Sequence, residues 1–469
     1  MARGRGTTNH IHMTFNQGKV DQFSCSLMLR QTRDPDESKS YSINQFIDNF
    51  SIRQSLLRYS MSLELSIRDS AGLVDESILK LGSVLELDLY RREEDPKEDR
   101  IRIVFYVTNI HSSVQSQTQN ERVYDIVAYT FAGVSNAWPF TQVYPAGETP
   151  SNIIKDIVKN KFTIVPEEIG KDDVDWIPTE NTLDTPTIFK QVAPFDAITN
   201  MLRRSVRTTE KDSTYFFYED TRGFKLKTIG DMTKQEYLNN AIKYTLLPDK
   251  KIVGDFKKDH YKVLYLTQHS SADFFKLMEN GVYSSEVVYI DLLNRTVGNN
   301  NSKHLFKYTD EEHRKTLLSL GEFDAFDITT EIFEREGRPD PGTSASLDTS
   351  YDITPASKIA FSETAWDRTD YMHDKYPYDA AQRALFEQNK VTIEVYGNPE
   401  IRPGNIIYLE IPKQKQETGY SKRLDGYYLI TGVKHNVSGN RFQTLIDLHK
   451  DSYFINVLEG EKNNSGTQS

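Results

Sequence analysis

Cysteine is all but missing from this chain. Cys25 is the single thiol among 469 residues, so no intramolecular disulfide can form and no cysteine-based zinc site can be built. That scarcity fits a chain made in a reducing compartment. A long apolar run is also lacking: nothing approaches the roughly 18 residues of a membrane span. The start, "MARGRGTTNHIHMTF", has no apolar core of the kind a secretory signal needs. Basic charge is in deficit, with a formal net charge of −11. A nucleic-acid reader carries a basic footprint, and the basic clusters here are only Arg91-Arg92, beside Glu93-Glu94-Asp95, and Arg203-Arg204. An acidic wall would let DNA pass without holding it, because holding requires neutralised phosphates. Catalytic signatures are lacking as well. There is no nucleophile elbow, phosphate-binding glycine loop or dinucleotide fingerprint; "GVSN" at Gly133 to Asn136 has no second glycine.

Aromatic residues are plentiful: 26 Tyr and 24 Phe, types that favour strands. Apolar and polar residues alternate through the first third. In "SLELSIRD" Leu63, Leu65 and Ile67 face one way. "VLELDLY" does the same with Leu85, Leu87 and Leu89, and "IRIVFYV" with Ile101, Ile103, Phe105 and Val107. This pattern predicts antiparallel sheet with one buried and one wet face. The charged run "RREEDPKEDR" between two of these strands reads as a hairpin loop. Cys25, in the alternating "QFSCSLMLRQ", reads as a packed thiol.

The pattern changes near 149. "TPSNIIKDIVKNKF" and "PFDAITNMLRRSV" have helical spacing, and "TYFFYEDTRGFKLKTI" reads as a hairpin with Gly223 in its turn. Strands resume at "YKVLYLTQ" and "GVYSSEVVYIDLLNRTV". Residues 331–357 are poor in apolar side chains and read as linker or arm. "YDAAQRALFEQNK" predicts a short helix, and "VTIEVYGNPEIRPGNIIYLEIP" two strands around a Pro-Gly turn.

The most informative feature is an internal repeat. "LKLGSVLELDLY" matches "IRPGNIIYLEIP": a glycine closes a turn and an apolar strand with a mid-strand acid follows. "FYVTNIHSSVQSQTQNERVYDIVAYT" matches "DGYYLITGVKHNVSGNRFQTLIDLHKD". Gly82 to Thr108 is 26 positions and Gly404 to Thr431 is 27. Upstream, "SMSLELSIRDSAGL" is paired with "SSEVVYIDLLNRTV". The fold class expected is mainly β with an α+β insertion, with two similar antiparallel barrels in one chain. The expected division is a first barrel with a flexible N-terminal tail over 1–148, a small α+β insertion over 149–245, a second barrel over 246–452 interrupted at about 304–357, and a disordered tail over 453–469. Two such barrels in each of three chains would make a ring of six, exactly three-fold and approximately six-fold.

Candidate chemistry is sparse. His10 and His12 lack a third ligand, and His260, His269 and His304 have no metal-like spacing. Glu394, Glu410 and Asp447 lie in strands and could be placed like paired glycosidase carboxylates, but solvent-facing strand positions explain them. The stretch Gly281 to Val297 reads as a long strand and an oligomer contact, with Tyr283, Asp291, Asn294 and Arg295 as interface residues.

Two stretches carry a family resemblance. "RALFEQNKVTIEVYGNPEIRPGNIIYLEIP" followed by "DGYYLITGVKHNVSGNRFQTLIDL" resembles the C-terminal barrel of the baseplate hub proteins of contractile-tailed phages. "GVYSSEVVYIDLLNRTV" is similar to the hub's long strand. The likeness extends to phage late-control tail proteins and to the N-terminal part of type VI secretion spike proteins. It implies tail-tube-like barrels and a homotrimer that continues a hexameric tail tube to a trimeric central spike. The lumen would then conduct DNA or tape-measure protein. It implies contacts with neighbouring baseplate proteins, assembly in the host bacterial cytoplasm and residence in the virion tail, with no cofactor, metal or enzymatic activity. The polar tail after Asp451 departs from hubs that carry a spike β-helix or lysozyme segment, so the spike is expected as a separate chain. Rival readings are the hub of a non-phage contractile injection system or prophage-derived particle, a cell-wall-degrading tail enzyme, and a sugar-binding β module.

Overall fold

The computed structural model describes residues 13–16, 22–30, 40–91, 101–113, 122–162, 176–183, 186–207, 214–246, 261–270, 284–291, 296–298, 305–307, 323–324, 348–352, 379, 382–383, 386, 389–412, 424–439 and 441–453. The first strands are β1 (Met13–Asn16), β2 (Gln22–Arg30), β3 (Ser40–Ser42), β4 (Ile47–Ser55), β5 (Ser62–Asp69), β6 (Val84–Arg91), β7 (Ile101–Ser113) and β8 (Arg122–Tyr129). They pair antiparallel in the order β2-β6-β7-β8-β5-β4. The stretch from β3 to β4 closes the circuit, since β3 pairs with β2 while β4 pairs with β5. A short 3-10 turn, Asn44–Phe46, links the two. There the buried Asn44 side chain accepts the Leu27 amide at 2.7 Å, which fills a gap in the ladder.

Alternation does what period two requires. Leu63, Leu65, Ile67, Leu85, Leu87, Leu89, Ile103, Phe105 and Val107 all lie in one core. One expectation fails: Glu86 and Asp88 on the polar face of β6 are buried. They are 6% and 5% exposed, and Arg102 on β7 pairs with Glu86 across the strands. The Arg102 guanidinium makes the contact while its side chain stays 62% exposed.

After β8 come α1 (Phe131–Ser135), β9 (Phe140–Tyr144) and α2 (Pro150–Ile157). Thr149 caps α2 by accepting the Asn152 amide at 3.2 Å, and Pro150 sits in its first turn, where a missing N–H costs nothing. Then follow β10 (Thr187–Val192), α3 (Pro194–Arg204), β11 (Tyr215–Asp220), β12 (Gly223–Thr228), α4 (Ile229–Met232) and α5 (Gln235–Asn239). Helices α1, α2 and α3, the antiparallel β9–β10 pair and the β11–β12 hairpin share a core of their own around Ile154, Ile198, Met201 and Phe217.

The second barrel closes fully. Its strands are β13 (Ile242–Leu246), β14 (Lys262–Ser270), β20 (Asn389–Tyr396), β21 (Ile406–Glu410), β22 (Gly426–Ser438) and β23 (Arg441–Lys450), paired in the circuit β13-β14-β20-β23-β22-β21. Between β14 and β20 stand β15 (Ser284–Asp291), β16 (Thr296–Gly298), β17 (Leu305–Lys307), β18 (Phe323–Asp324) and β19 (Asp348–Asp352). A final short strand, β24 (Ser452–Tyr453), pairs with β18. The strand β19, inside the segment read as linker or arm, lies parallel to β15.

Five strands recur in the same chain order: β4, β5, β6, β7, β8 and β14, β20, β21, β22, β23. Details recur with them. Gly82 and Gly404 hold φ of +81° and +85°, a region that favours glycine. Their amides donate at 2.8 Å to the carbonyls of Val107 and Ile430, and those two residues donate back to Ser83 and Asn405 at 2.9 Å. The next residue, Thr108 or Thr431, bulges out of the ladder. Each bulged threonine turns its hydroxyl to the carbonyl across the sheet, Val127 at 3.0 Å or Asp447 at 3.2 Å. A second bulge recurs at Asp48 in β4 and Leu264 in β14. Hairpins in general do not share bulges, hydroxyl bonds and positive-φ turns in one register, so the two barrels are copies of one plan.

Two sequence expectations are corrected. The counterpart of β5 is β20, not the stretch containing β15. It is β20 that pairs with β23 and β14 as β5 pairs with β8 and β4. Nor is 281–297 one long strand: the chain turns back after Asp291, which pairs with Thr296 of β16. The copies also differ in their sixth strand. β2 runs antiparallel to β6, whereas β13 is parallel to both β21 and β14, because the chain reaches it from the α+β unit.

Candidate assembly interface

The two barrels are fused by backbone. β4 of the first pairs antiparallel with β22 of the second over seven residue pairs, Gly432–Ser55 to Ser438–Asn49. The length of β22 makes this possible. Its N-terminal residues pair with β21, and beyond the Thr431 bulge that edge passes to β4 while β23 keeps the other. The Thr431 carbonyl takes the Leu56 amide at 2.9 Å and the Ser55 hydroxyl at 3.1 Å. The β22–β23 hairpin then sends Val437 and Phe442 into the core of the first barrel, where both are buried. Gly397 makes room for that ring: a Cβ there would overlap Phe442.

Polar groups contribute less to this joint. Lys434 reaches Glu64 at 3.2 Å with side chains 39% and 55% exposed, so the pair is worth at most about 1 kcal/mol. Burial raises the Glu64 carboxyl, but the Lys434 bond and charge, with Ser51, more than offset this and leave it below its ordinary value. His435 is fully buried beside Phe442, its Nδ1 3.1 Å from the Thr444 hydroxyl. Burial pulls it down to about 4, so it is neutral at physiological pH. It is a packing residue of the joint and not an exposed ligand.

The α+β unit wedges against both barrels. Glu219 on β11 accepts the Met61 amide at 3.1 Å and the Thr130 hydroxyl, which ties it to the first barrel. Burial lifts its carboxyl to about 7 even though both bonds favour the charged form. Next to it, Tyr218 donates to the Pro403 carbonyl at 3.4 Å, and a Cβ on Gly404 would overlap its hydroxyl. Leu56, Tyr218, Met232, Phe386, Ile406 and Leu429 form one cluster where the three units meet.

Of the interface residues read from sequence, Asp291 ends β15, and Tyr283, Asn294 and Arg295 lie outside the described residues. His10, His12, His260 and His304 lie outside them too, as does the Cys25 side chain. His269 is on β14, with Nε2 2.8 Å from the Thr392 hydroxyl. The three carboxylates weighed as a catalytic set are cross-strand acceptors. Glu394 takes Gln443, Asp447 takes Thr392 at 2.7 Å, and Glu410 pairs with Lys243 at 2.7 Å and Thr245 at 3.0 Å. Among the described residues no group of three or more His, Cys, Asp or Glu could hold a metal ion. A concavity of about 620 Å³ at the edge of the first barrel is lined by Gln45, Phe46, Ile47, Asp48, Arg68, Ser70 and Ala71. It offers a surface Asp48–Arg68 ion pair at 3.2 Å and no histidine or cysteine. No described helix is long and apolar enough to cross a membrane.

What sequence reading missed is the joint itself. The Gly-to-Thr spacing marks the turn and the bulge, but which edge the bulge releases to which strand leaves no local signal.

No protein-family model matches the chain, and no curated protein matches it. Among solved structures, it is similar to the tail protein from Neisseria meningitidis, with 10% identity over 91% of this chain and 97% of that one and a TM-score of 0.49. It is similar to the 43 kDa tail protein of prophage MuSo2 from Shewanella oneidensis, with 13% identity over 92% and 100% and a TM-score of 0.49. A component of the type VI secretion system of E. coli is similar at 11% identity over 87% and 74%, with a TM-score of 0.40. All three scores are below 0.5, so the function of this chain has to be argued from its own geometry.

Proposed function

We propose that this chain is a structural hub of a phage contractile tail, a homotrimer whose six barrels form a pseudo-hexameric ring. The ring joins the six-fold tail tube to a three-fold central spike and surrounds the channel through which DNA or tape-measure protein passes. One observation carries the reading: the barrel is duplicated down to its glycine turn and threonine bulge, and the two copies are already joined side by side through β4 and β22. Three chains then present six similar units to a six-fold tube and three identical faces to a spike. The net charge of −11 suits a channel that passes a polyanion without binding it. The spike, the tube protein and neighbouring baseplate proteins are the partners.

Light scattering of the purified chain tests the trimer: a mass near three times 54.1 kDa is expected. Mixing with the spike and tube proteins tests the adaptor role. Co-purification with neither would overturn it.

A further inference from the structure

The duplication says more than that the chain forms a ring; it says which edges meet. Inside the chain, β4 of the first barrel is paired with the far half of β22 of the second. Each barrel holds a copy of both halves of that joint. The counterpart of β22 is β7, matched through Thr108 and Thr431 and through their partners on β8 and β23. The counterpart of β4 is β14, matched through the shared bulge and through β5 and β20. Among the described residues, β7 beyond Thr108 pairs only with β8, on one edge. Likewise β14 from Leu264 to Ser270 pairs only with β20. So the chain uses one copy of the joint internally and carries the two complementary halves of a second copy on opposite barrels.

An independent feature points the same way. Solvent-facing strand edges are normally protected by lysine, proline or another charge. Thr108 to Ser113 reads TNIHSS and Leu264 to Ser270 reads LYLTQHS, with no proline, lysine, arginine or acid. Side chains along both strands are exposed, Asn109, His111, Ser112, Gln268 and His269 among them, and Tyr265 is 63% exposed.

We infer that the free edge of β7 in one copy pairs antiparallel with the free edge of β14 in the next, repeating the β4–β22 joint between chains. The inference rests on the trimeric reading above and adds its contact and register. Within the chain, His435 faces Ile52 and Asn436 faces Ser51. The equivalent pairs between chains are Ser112 with Gln268 and Ser113 with Thr267. Because the two edges differ, the contact is head-to-tail, and in the trimer proposed above three such contacts close the ring. Backbone hydrogen bonds supply the affinity, as in other strand additions.

Disulfide trapping in the full chain tests it. In a Cys25→Ser background, one variant carries Ser112→Cys with Gln268→Cys and another Ser113→Cys with Thr267→Cys. Neighbouring pairs in an antiparallel ladder alternate between wide and close spacing, about 5.5 and 4.5 Å between Cα atoms, so one of the two suits a disulfide. Mild oxidation should give reducible dimer and trimer bands that stop at trimer, while each single-cysteine variant stays uncrosslinked. A trimeric mass with no crosslink from either variant would overturn the edge assignment and leave the trimer standing. A monomer that does not crosslink would overturn both. Crosslinking of a single-cysteine variant to itself, or a ladder that runs past trimer, would also refute a closed head-to-tail ring.

Discussion

The same turn occurs twice in this chain in different surroundings, and that permits a controlled perturbation. Gly82 and Gly404 have φ near +80° and make matching backbone bonds. Replacing either with alanine forces a Cβ into the left-handed region, at a cost of roughly 1–2 kcal/mol. At Gly82 an added Cβ meets nothing within 4 Å, so Gly82→Ala should cost only that. At Gly404 the Cβ would overlap the Tyr218 hydroxyl and crowd Met232 Sδ at 3.2 Å. Overpacking a buried site adds roughly 1–3 kcal/mol, so Gly404→Ala should cost about 2–5 kcal/mol in all. Tyr218→Phe removes the overlapping atom together with one long hydrogen bond, alone worth about 1 kcal/mol. In the Gly404→Ala background it should instead recover up to about 2 kcal/mol. Urea unfolding followed by circular dichroism reads these differences, provided protein concentration is fixed and the slope is unchanged. Equal costs for the two alanine variants, or additive behaviour of Tyr218→Phe with Gly404→Ala, would refute the claim that the α+β unit is packed against the second barrel's turn.

Phe442→Ala should cost about 3–5 kcal/mol, because it empties a site in the first barrel's core from the second barrel's hairpin. Lys434→Ala at the same joint should cost under about 1 kcal/mol, and denaturation midpoints of the two variants should separate them. Glu219 binds a proton in the folded state up to about pH 7, whereas its ordinary value is 4.5. The folded state therefore holds the extra proton between those values, and stability falls as pH rises from 4.5 to 7. Glu219→Gln removes that loss, so its stability relative to the parent should be higher at pH 8 than at pH 5, by up to roughly 3 kcal/mol; thermal unfolding at the two pH values checks it.

How much of this was legible in the sequence follows from the range of the interactions involved. Period-two alternation is local, so the buried faces of β5, β6 and β7 could be read directly. A glycine-closed turn followed at fixed spacing by a threonine is also local, which is why the barrel's duplication was visible through Gly82, Gly404, Thr108 and Thr431. Helices α2 and α3 declared themselves by spacing and by their first-turn prolines. The match of β5 to the stretch containing β15 failed because composition was the only guide there, and the true partner lies more than a hundred residues further on. Glu86 reads as wet because alternation cannot show that Arg102 will pair with it.

The sequence by itself determined the alternating strands of the first barrel, the glycine turns at Gly82 and Gly404, and that one barrel plan is written twice. Only the tertiary structure decided that β4 pairs with β22, that β13 closes the second barrel from a parallel direction, and that Glu219 and Tyr218 lock the α+β unit between the barrels. The physical reason is that strand edges are generic. Any edge offers the same amides and carbonyls, and bulges, barrel closure and the side chains that can pack across the joint select among them.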